Sequence, residues 1–196
     1  MKARKVFFDA VMAVFMKRRT ITMSSTRRLV LTALFVALGV ALPQVFHAVP
    51  NAGSIFLPMH IPVLLAGFSV GPLFGLCAGI LTPLLSHLMF GMPPAPVLTS
   101  MLFELALYGL MSGLLTKAIR IRPLIAKIYC VLILSMLCGR IGYGLLNALV
   151  LRAGQYSLQT WLSAAFVTAL PGIIIQLIVI PILVTALVRA KLINVD

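Results

Sequence analysis

The chain has 196 residues, of which 62% are hydrophobic and only 10% are charged. Soluble globular domains carry about 25% charged residues, so this chain has too little polar surface to face water on all sides. Lys and Arg number 16 against 3 acidic residues. Because these basic residues flank long apolar stretches, they indicate the lipid bilayer, through its anionic headgroups, as the partner and argue against nucleic acid. The composition therefore predicts an integral membrane protein.

Residues 1–22 form a basic and apolar N-terminal extension. Its apolar part, 6–16, is too short to cross a bilayer, which takes about 20 residues. Two interpretations stay open: an interfacial amphipathic helix, or a dispensable stretch that precedes a natural start at Met23. The remaining residues, 23–196, are predicted to form one transmembrane domain.

Six transmembrane helices are predicted from the apolar runs in this domain. The first run covers 29–49. The next apolar stretch, 59–90, is too long for one span, and Gly71-Pro72 divides it into a short helix and a full one. The other three runs cover 97–116, 128–151 and 158–188. The predicted fold class is an all-α, polytopic protein of the cell membrane.

The basic residues predict that both termini lie in the cytoplasm. Eight of them precede the first helix, four lie in the connection after the fourth helix, and two are at the C-terminus. The connections on the other side contain only Arg152. This asymmetry is typical of the positive-inside rule.

Several motifs of enzymes are missing from the sequence. There is no Gly-x-x-x-x-Gly-Lys-Ser/Thr phosphate loop, no Gly-x-Ser-x-Gly elbow and no His-Glu-x-x-His helix. Only one acidic residue, Glu104, lies within the six predicted transmembrane helices. We therefore expect no catalytic residues, no metal site and no cofactor bound by this chain, and a binding or transport protein is favoured over an enzyme.

Arg140 is the most informative polar residue. It lies near the middle of the fifth run, where insertion costs roughly 2.5–3.5 kcal/mol, so it is expected to face the bundle interior. Tyr143 and Asn147 follow at helical spacing, and Gly144 leaves room beside them for a ligand or a close helix. The favoured interpretation is a stripe that binds an anionic or polar small molecule. The alternative is a structural pair between Arg140 and Glu104.

Three further polar side chains lie in apolar runs. Glu104 and Tyr108 are one turn apart in the fourth run, and Gln176 is in the sixth. Glu104 could accept hydrogen bonds from a ligand, pair with Arg140 or titrate as a proton carrier. Gln176 is equally compatible with binding a ligand or a neighbouring helix.

The sequence resembles the substrate-binding S components of energy-coupling factor (ECF) vitamin transporters. The resemblance extends over 24–191. The motifs that carry it are Ala33-x-x-x-Ala37, the stretch Leu-Pro-Met-His-Ile-Pro-Val-Leu-Leu-Ala-Gly-Phe at 57–68, Gly-Pro-Leu-Phe-Gly at 71–75, and Phe-Glu-Leu-Ala-Leu-Tyr-Gly at 103–109.

The resemblance implies a vitamin or related micronutrient bound in an outward-facing pocket, formed by the first outer loop and the outer halves of helices four to six. It also implies docking through helix one onto a transmembrane coupling subunit that carries two ATPase subunits, which use the ATP. The implied substrate-binding residues are Glu104, Tyr108, Arg140, Tyr143, Asn147 and Gln176. The implied docking residues are Ala33, Ala37 and Ala41.

Two other functions stay open at the level of sequence. One is a stand-alone, proton-coupled carrier that uses Glu104, and the other is a membrane scaffold without transport activity. The substrate is also open. Arg140 suggests a carboxylate vitamin such as pantothenate, whereas pairing with Glu104 would suit riboflavin or a pyridoxine-like ring.

Overall fold

The computed structural model describes residues 23–45, 52–151, 153 and 156–193. The predicted extension 1–22 lies outside the described residues. All regular structure in the described part is helical, which confirms the all-α prediction. The helices are α1 (Ser25–Val45), α2 (Ala52–Phe56), α3 (His60–Val70), α4 (Pro72–Phe90), α5 (Ala95–Ala118), α6 (Leu124–Leu146), α7 (Leu158–Leu162) and α8 (Leu170–Arg189). Two π-helical segments, π1 (Asn147–Leu151) and π2 (Ser163–Thr168), follow α6 and α7.

Six segments of the described chain are long and apolar enough to cross a membrane, as predicted. They are Ser25–Val45, Gly53–Val70, Pro72–Phe90, Ala95–Ala118, Leu124–Leu151 and Leu170–Arg189. The second segment combines α2, a short turn and α3. The predicted run 158–188 is in fact divided, because π2, which follows α7, ends at Thr168 and the last span begins at Leu170.

The predicted break at Gly71-Pro72 is confirmed. Gly71 has a φ of +112°, a conformation that L side chains rarely adopt. Its backbone N–H donates to the carbonyl of Gly67 and ends α3. Pro72 then begins α4, at a position where a helix needs no backbone donor.

Helix α3 is the centre of the bundle. In the segment Gly53–Val70, 72% of the residues are buried, against 28–44% in the other five spans. Glycines allow the neighbouring helices to approach this centre. A Cβ atom added to Gly75 or Gly79 of α4 would collide with the backbone carbonyl of Gly109 or Leu105 of α5. Gly75 and Gly79 of α4 therefore serve the internal packing of the bundle.

The two ends of the described chain meet at one end of the bundle. The side chain of Arg27, at the start of α1, donates from Nη2 to the carbonyl of Leu192 beyond α8, at 3.1 Å. The antiparallel path of the six spans places the turn between α5 and α6 at this end as well. The basic residues of this basic end are Arg27, Arg28, Lys117, Arg120, Arg122, Lys127, Arg189 and Lys191.

Candidate functional site

A cavity of about 380 Å³ lies at the bundle end opposite the basic end. Its walls come from the end of α1, residues 53–60, the turn 92–94, the first half of α5, the second half of α6, and π2 with Ala169. This is the place where the resemblance implies a substrate pocket. Its volume falls in the range of small-molecule sites.

A contact of His87 fixes the turn that forms one wall of the cavity. The His87 ring nitrogen Nδ1 lies 2.7 Å from the carbonyl oxygen of Pro93, across the turn that follows α4. Gly91 ends α4 in a left-handed conformation, with a φ of +68°. Together these contacts fix the Pro93-Pro94 wall beside the cavity.

Three of the predicted site residues line the cavity together. Glu104 reaches it from α5, and Arg140 and Tyr143 reach it from α6. Apolar side chains, including Met59, Met92, Met101 and Val97, form much of the remaining lining. The arrangement combines a few charged groups with an apolar surface, as binding sites for small molecules commonly do.

His60 lines the cavity but is not among the predicted binding residues. Its Nε2 atom lies 3.8 Å from Oε1 of Glu104, and its ring is 1% exposed. The ring of Tyr108 packs edgewise against the His60 ring, with 5.0 Å between centroids. His60 follows Leu57-Pro-Met in a motif that the resemblance already singled out, and this was the available signal.

Two aromatic residues contact Arg140, one at its backbone carbonyl and one at its guanidinium group. The indole Nε1 of Trp161 donates to the Arg140 carbonyl at 3.0 Å. The guanidinium carbon lies 5.9 Å from the centre of the Phe166 ring, at the limit of a cation–π contact. Arg140 is therefore contacted by one aromatic residue of α7 at its backbone and by one of π2 at its guanidinium, and the residue is 4% exposed.

The predicted space beside Gly144 is occupied by a side chain of the protein. A Cβ atom added to Gly144 would lie 2.5 Å from Nε1 of Trp161. Glycine at this position therefore makes room for the indole that bonds to Arg140, and the space is not open to a ligand. Trp161 points inward through its N–H group.

The other three predicted binding residues do not line the cavity. Tyr108 is fully buried behind His60. Asn147 accepts a hydrogen bond from Ser100 Oγ at 3.1 Å and donates to the Tyr143 carbonyl at 2.8 Å, so its amide connects α5 and α6. Gln176 is fully buried in α8, and its amide has no hydrogen-bond partner among the described residues.

The predicted docking residues lie on the outside of the bundle. Ala33, Ala37 and Ala41 are exposed, whereas Phe35, Val36, Gly39 and Val40 of the same helix are buried. A Cβ atom at Gly39 would collide with Thr82 of α4, so α1 is attached to the bundle through its opposite face. The three alanines form a smooth outer strip, called the alanine face below.

Comparison with protein families decides the identity. The family model for the substrate-specific component of ECF transporters matches residues 27–184. The chain belongs to this family. The match runs from the start of α1 into the second half of α8, and therefore includes the cavity and the alanine face.

As an ECF substrate-specific component, the protein is a multi-pass membrane subunit for transport and not an enzyme. Family membership supports the first of the three functions that the sequence left open and disfavours the stand-alone carrier and the scaffold. Neither the comparison with curated proteins nor that with solved structures finds a match.

Proposed function

We propose that this ECF component binds a water-soluble vitamin or related micronutrient in the cavity and delivers it for import. Glu104, Arg140 and Tyr143 are the binding residues, with His60 beside Glu104. The observation that carries this proposal is a buried arginine on the wall of a small-molecule-sized cavity. A charge in a membrane bundle is costly, so it is retained where it serves a ligand or pathway.

The energy for import comes from partner subunits in this proposal. The chain contains no phosphate-binding loop. We infer that it docks through the alanine face onto a transmembrane coupling subunit that carries two ATPase subunits. The exposed position of Ala33, Ala37 and Ala41 supports this assignment, because small side chains let another helix approach closely.

The proposed orientation places the basic end in the cytoplasm and the cavity on the outer side. We expect a cysteine at exposed Arg122, in the turn between α5 and α6, to be labelled only from the cytoplasm. A cysteine at exposed Ser157 should be labelled from outside. Both variants are made after replacement of the three native cysteines and are treated with a membrane-impermeant maleimide in intact cells. Labelling of Arg122→Cys from outside would reverse the orientation.

The test of the binding function is mass spectrometry of small molecules extracted from the detergent-purified protein. We expect a vitamin-sized compound in the wild type and none in Arg140→Ala, because truncating one partner of a buried charge pair costs about 2–5 kcal/mol of binding. Asn147→Ala is the matched control, since it removes a buried polar group of the same helical segment that does not line the cavity. It should lose stability and keep the compound.

Two results would contradict this proposal. The first is a wild-type protein that carries no compound and gains no thermal stability from a panel of vitamins. The second is equal retention of the compound by Arg140→Ala, which would place the binding site elsewhere.

A further inference from the structure

One charged residue of the cavity, Arg140, has buried side-chain atoms that lack a hydrogen-bond partner among the described residues. Glu104 and Arg140 are the charged residues of its described lining, with His60 as a titratable neighbour. The Arg140 side-chain atoms Nε and Nη2 are buried and have no hydrogen-bond partner among the described residues. Buried guanidinium N–H groups without a hydrogen-bond acceptor are strongly unfavourable.

Glu104 is not the partner of Arg140. Within the described ranges, the ion-pair contact of Glu104 is with His60 Nε2, at 3.8 Å, and none joins it to Arg140. The Tyr108 ring in turn packs edgewise against the His60 ring. These contacts hold the carboxylate on the α3 side of the cavity. The sequence left open whether Arg140 pairs with Glu104 or binds a ligand. The contacts of Glu104 favour a ligand of Arg140.

We propose that the ligand carries a carboxylate bound by Arg140 and a separate hydrogen-bond donor bound by Glu104. This inference rests on the proposed binding function and names its substrate class. Nε and Nη2 form one edge of the guanidinium, and such an edge binds both oxygens of one carboxylate through two parallel hydrogen bonds. Because both atoms are buried, this binding mode requires the Arg140 side chain to rotate so that this edge faces the cavity that the residue lines.

The charge balance selects a single carboxylate over a phosphate. Glu104 and Arg140 cancel when His60 is neutral, so the described lining has no net charge. A carboxylate adds one negative charge to this site, whereas a phosphate adds nearly two beside Glu104. The carboxylate must also lie away from Glu104, so the ligand places its donor group, a hydroxyl, amide or ammonium, toward that residue. Its middle part contacts the methionines and Val97.

The test compares carboxylates with their neutral analogues on the wild-type protein in lipid nanodiscs. The probes are pantothenate with panthenol, biotin with biotinamide, and nicotinate with nicotinamide, together with riboflavin and pyridoxine. Binding is measured by calorimetry. We expect one carboxylate to bind, and its neutral analogue to bind roughly a hundredfold more weakly, because a site built for a polar group rejects the analogue that lacks it.

Arg140→Gln gives a second, charge-specific measurement. The variant should bind the carboxylate as weakly as its neutral analogue, while its affinity for the analogue changes little. Arg140→Lys keeps the charge and loses the paired N–H donors of the guanidinium. Its affinity for the carboxylate should lie between those of the wild type and Arg140→Gln. If Arg140→Gln does not fold, the comparison of paired ligands on the wild type decides alone.

The outcomes separate this inference from the function on which it rests. Equal affinity for a carboxylate and its analogue, or tight binding of riboflavin or pyridoxine alone, overturns the carboxylate and leaves the binding function intact. A co-purified compound without a carboxylate does the same. A protein that binds none of the probes and carries no compound overturns the binding function itself.

Discussion

Gly109→Leu is expected to yield no folded protein. The Gly109 backbone of α5 lies directly against Gly75 of α4, and a Cβ atom at Gly109 would collide with the Gly75 carbonyl. The nearest atoms are backbone, so no side chain can turn aside. Overpacking a well-packed core costs typically about 1–3 kcal/mol and sometimes more. Leucine, which adds four carbons between two helix backbones, should exceed that range.

The measurement is the yield of monodisperse protein on size-exclusion chromatography in detergent. Gly109→Ala should give an intermediate result, with a melting temperature lower by several degrees. Gly53→Ala is the control, because a Cβ atom there has no neighbour within 4 Å. A normally folded Gly109→Leu protein would mean that α4 and α5 do not pack through these glycines.

The spans could be predicted because their signals are local. A length of apolar residues identifies a membrane helix without knowledge of its neighbours, and Gly71-Pro72 ends one helix and begins another through its own backbone chemistry. The last span was less well predicted. An apolar run does not reveal that 158–168 folds as a short helix and a π-helical segment beside the cavity, since that depends on packing against α6.

The site was only partly predictable for the same reason. Arg140 and Glu104 stand out because a charge in an apolar run requires an explanation. Their partners are decided by tertiary packing: Glu104 contacts His60, 44 positions earlier in the chain, while Arg140 contacts Phe166. Helical spacing placed Asn147 on the same face as Arg140, but Asn147 does not line the cavity. Even adjacent residues differ, because Tyr143 lies on the cavity wall whereas Gly144 lies against Trp161. Helical spacing gives the face of a helix and not its neighbour.

Ala37→Leu is expected to abolish uptake while binding stays normal. Ala37 is exposed on the face of α1 that points away from the bundle, and both residues favour helices, so the fold should accept the change. The added carbons would separate α1 from a closely packed partner helix. At an overpacking cost of about 1–3 kcal/mol, docking weakens roughly 5- to 150-fold. Uptake is measured in cells that express the partner subunits, with the radiolabelled form of the compound that binds the purified protein.

Cys77→Leu separates docking from a general effect of bulk on the lipid-facing surface. Cys77 is exposed on α4 and is also small, but lies on a different helix from the alanine face. This variant should transport normally. Normal uptake by Ala37→Leu would remove the docking role of the alanine face, and equal loss in both variants would assign the defect to bulk at the bilayer. Loss in Ala37→Leu alone, with ligand binding intact, would mean that binding and delivery use separate surfaces of this subunit. Binding would use the cavity at one end of the bundle, and delivery would use the outer face of α1, which contributes to that cavity only through its last residues.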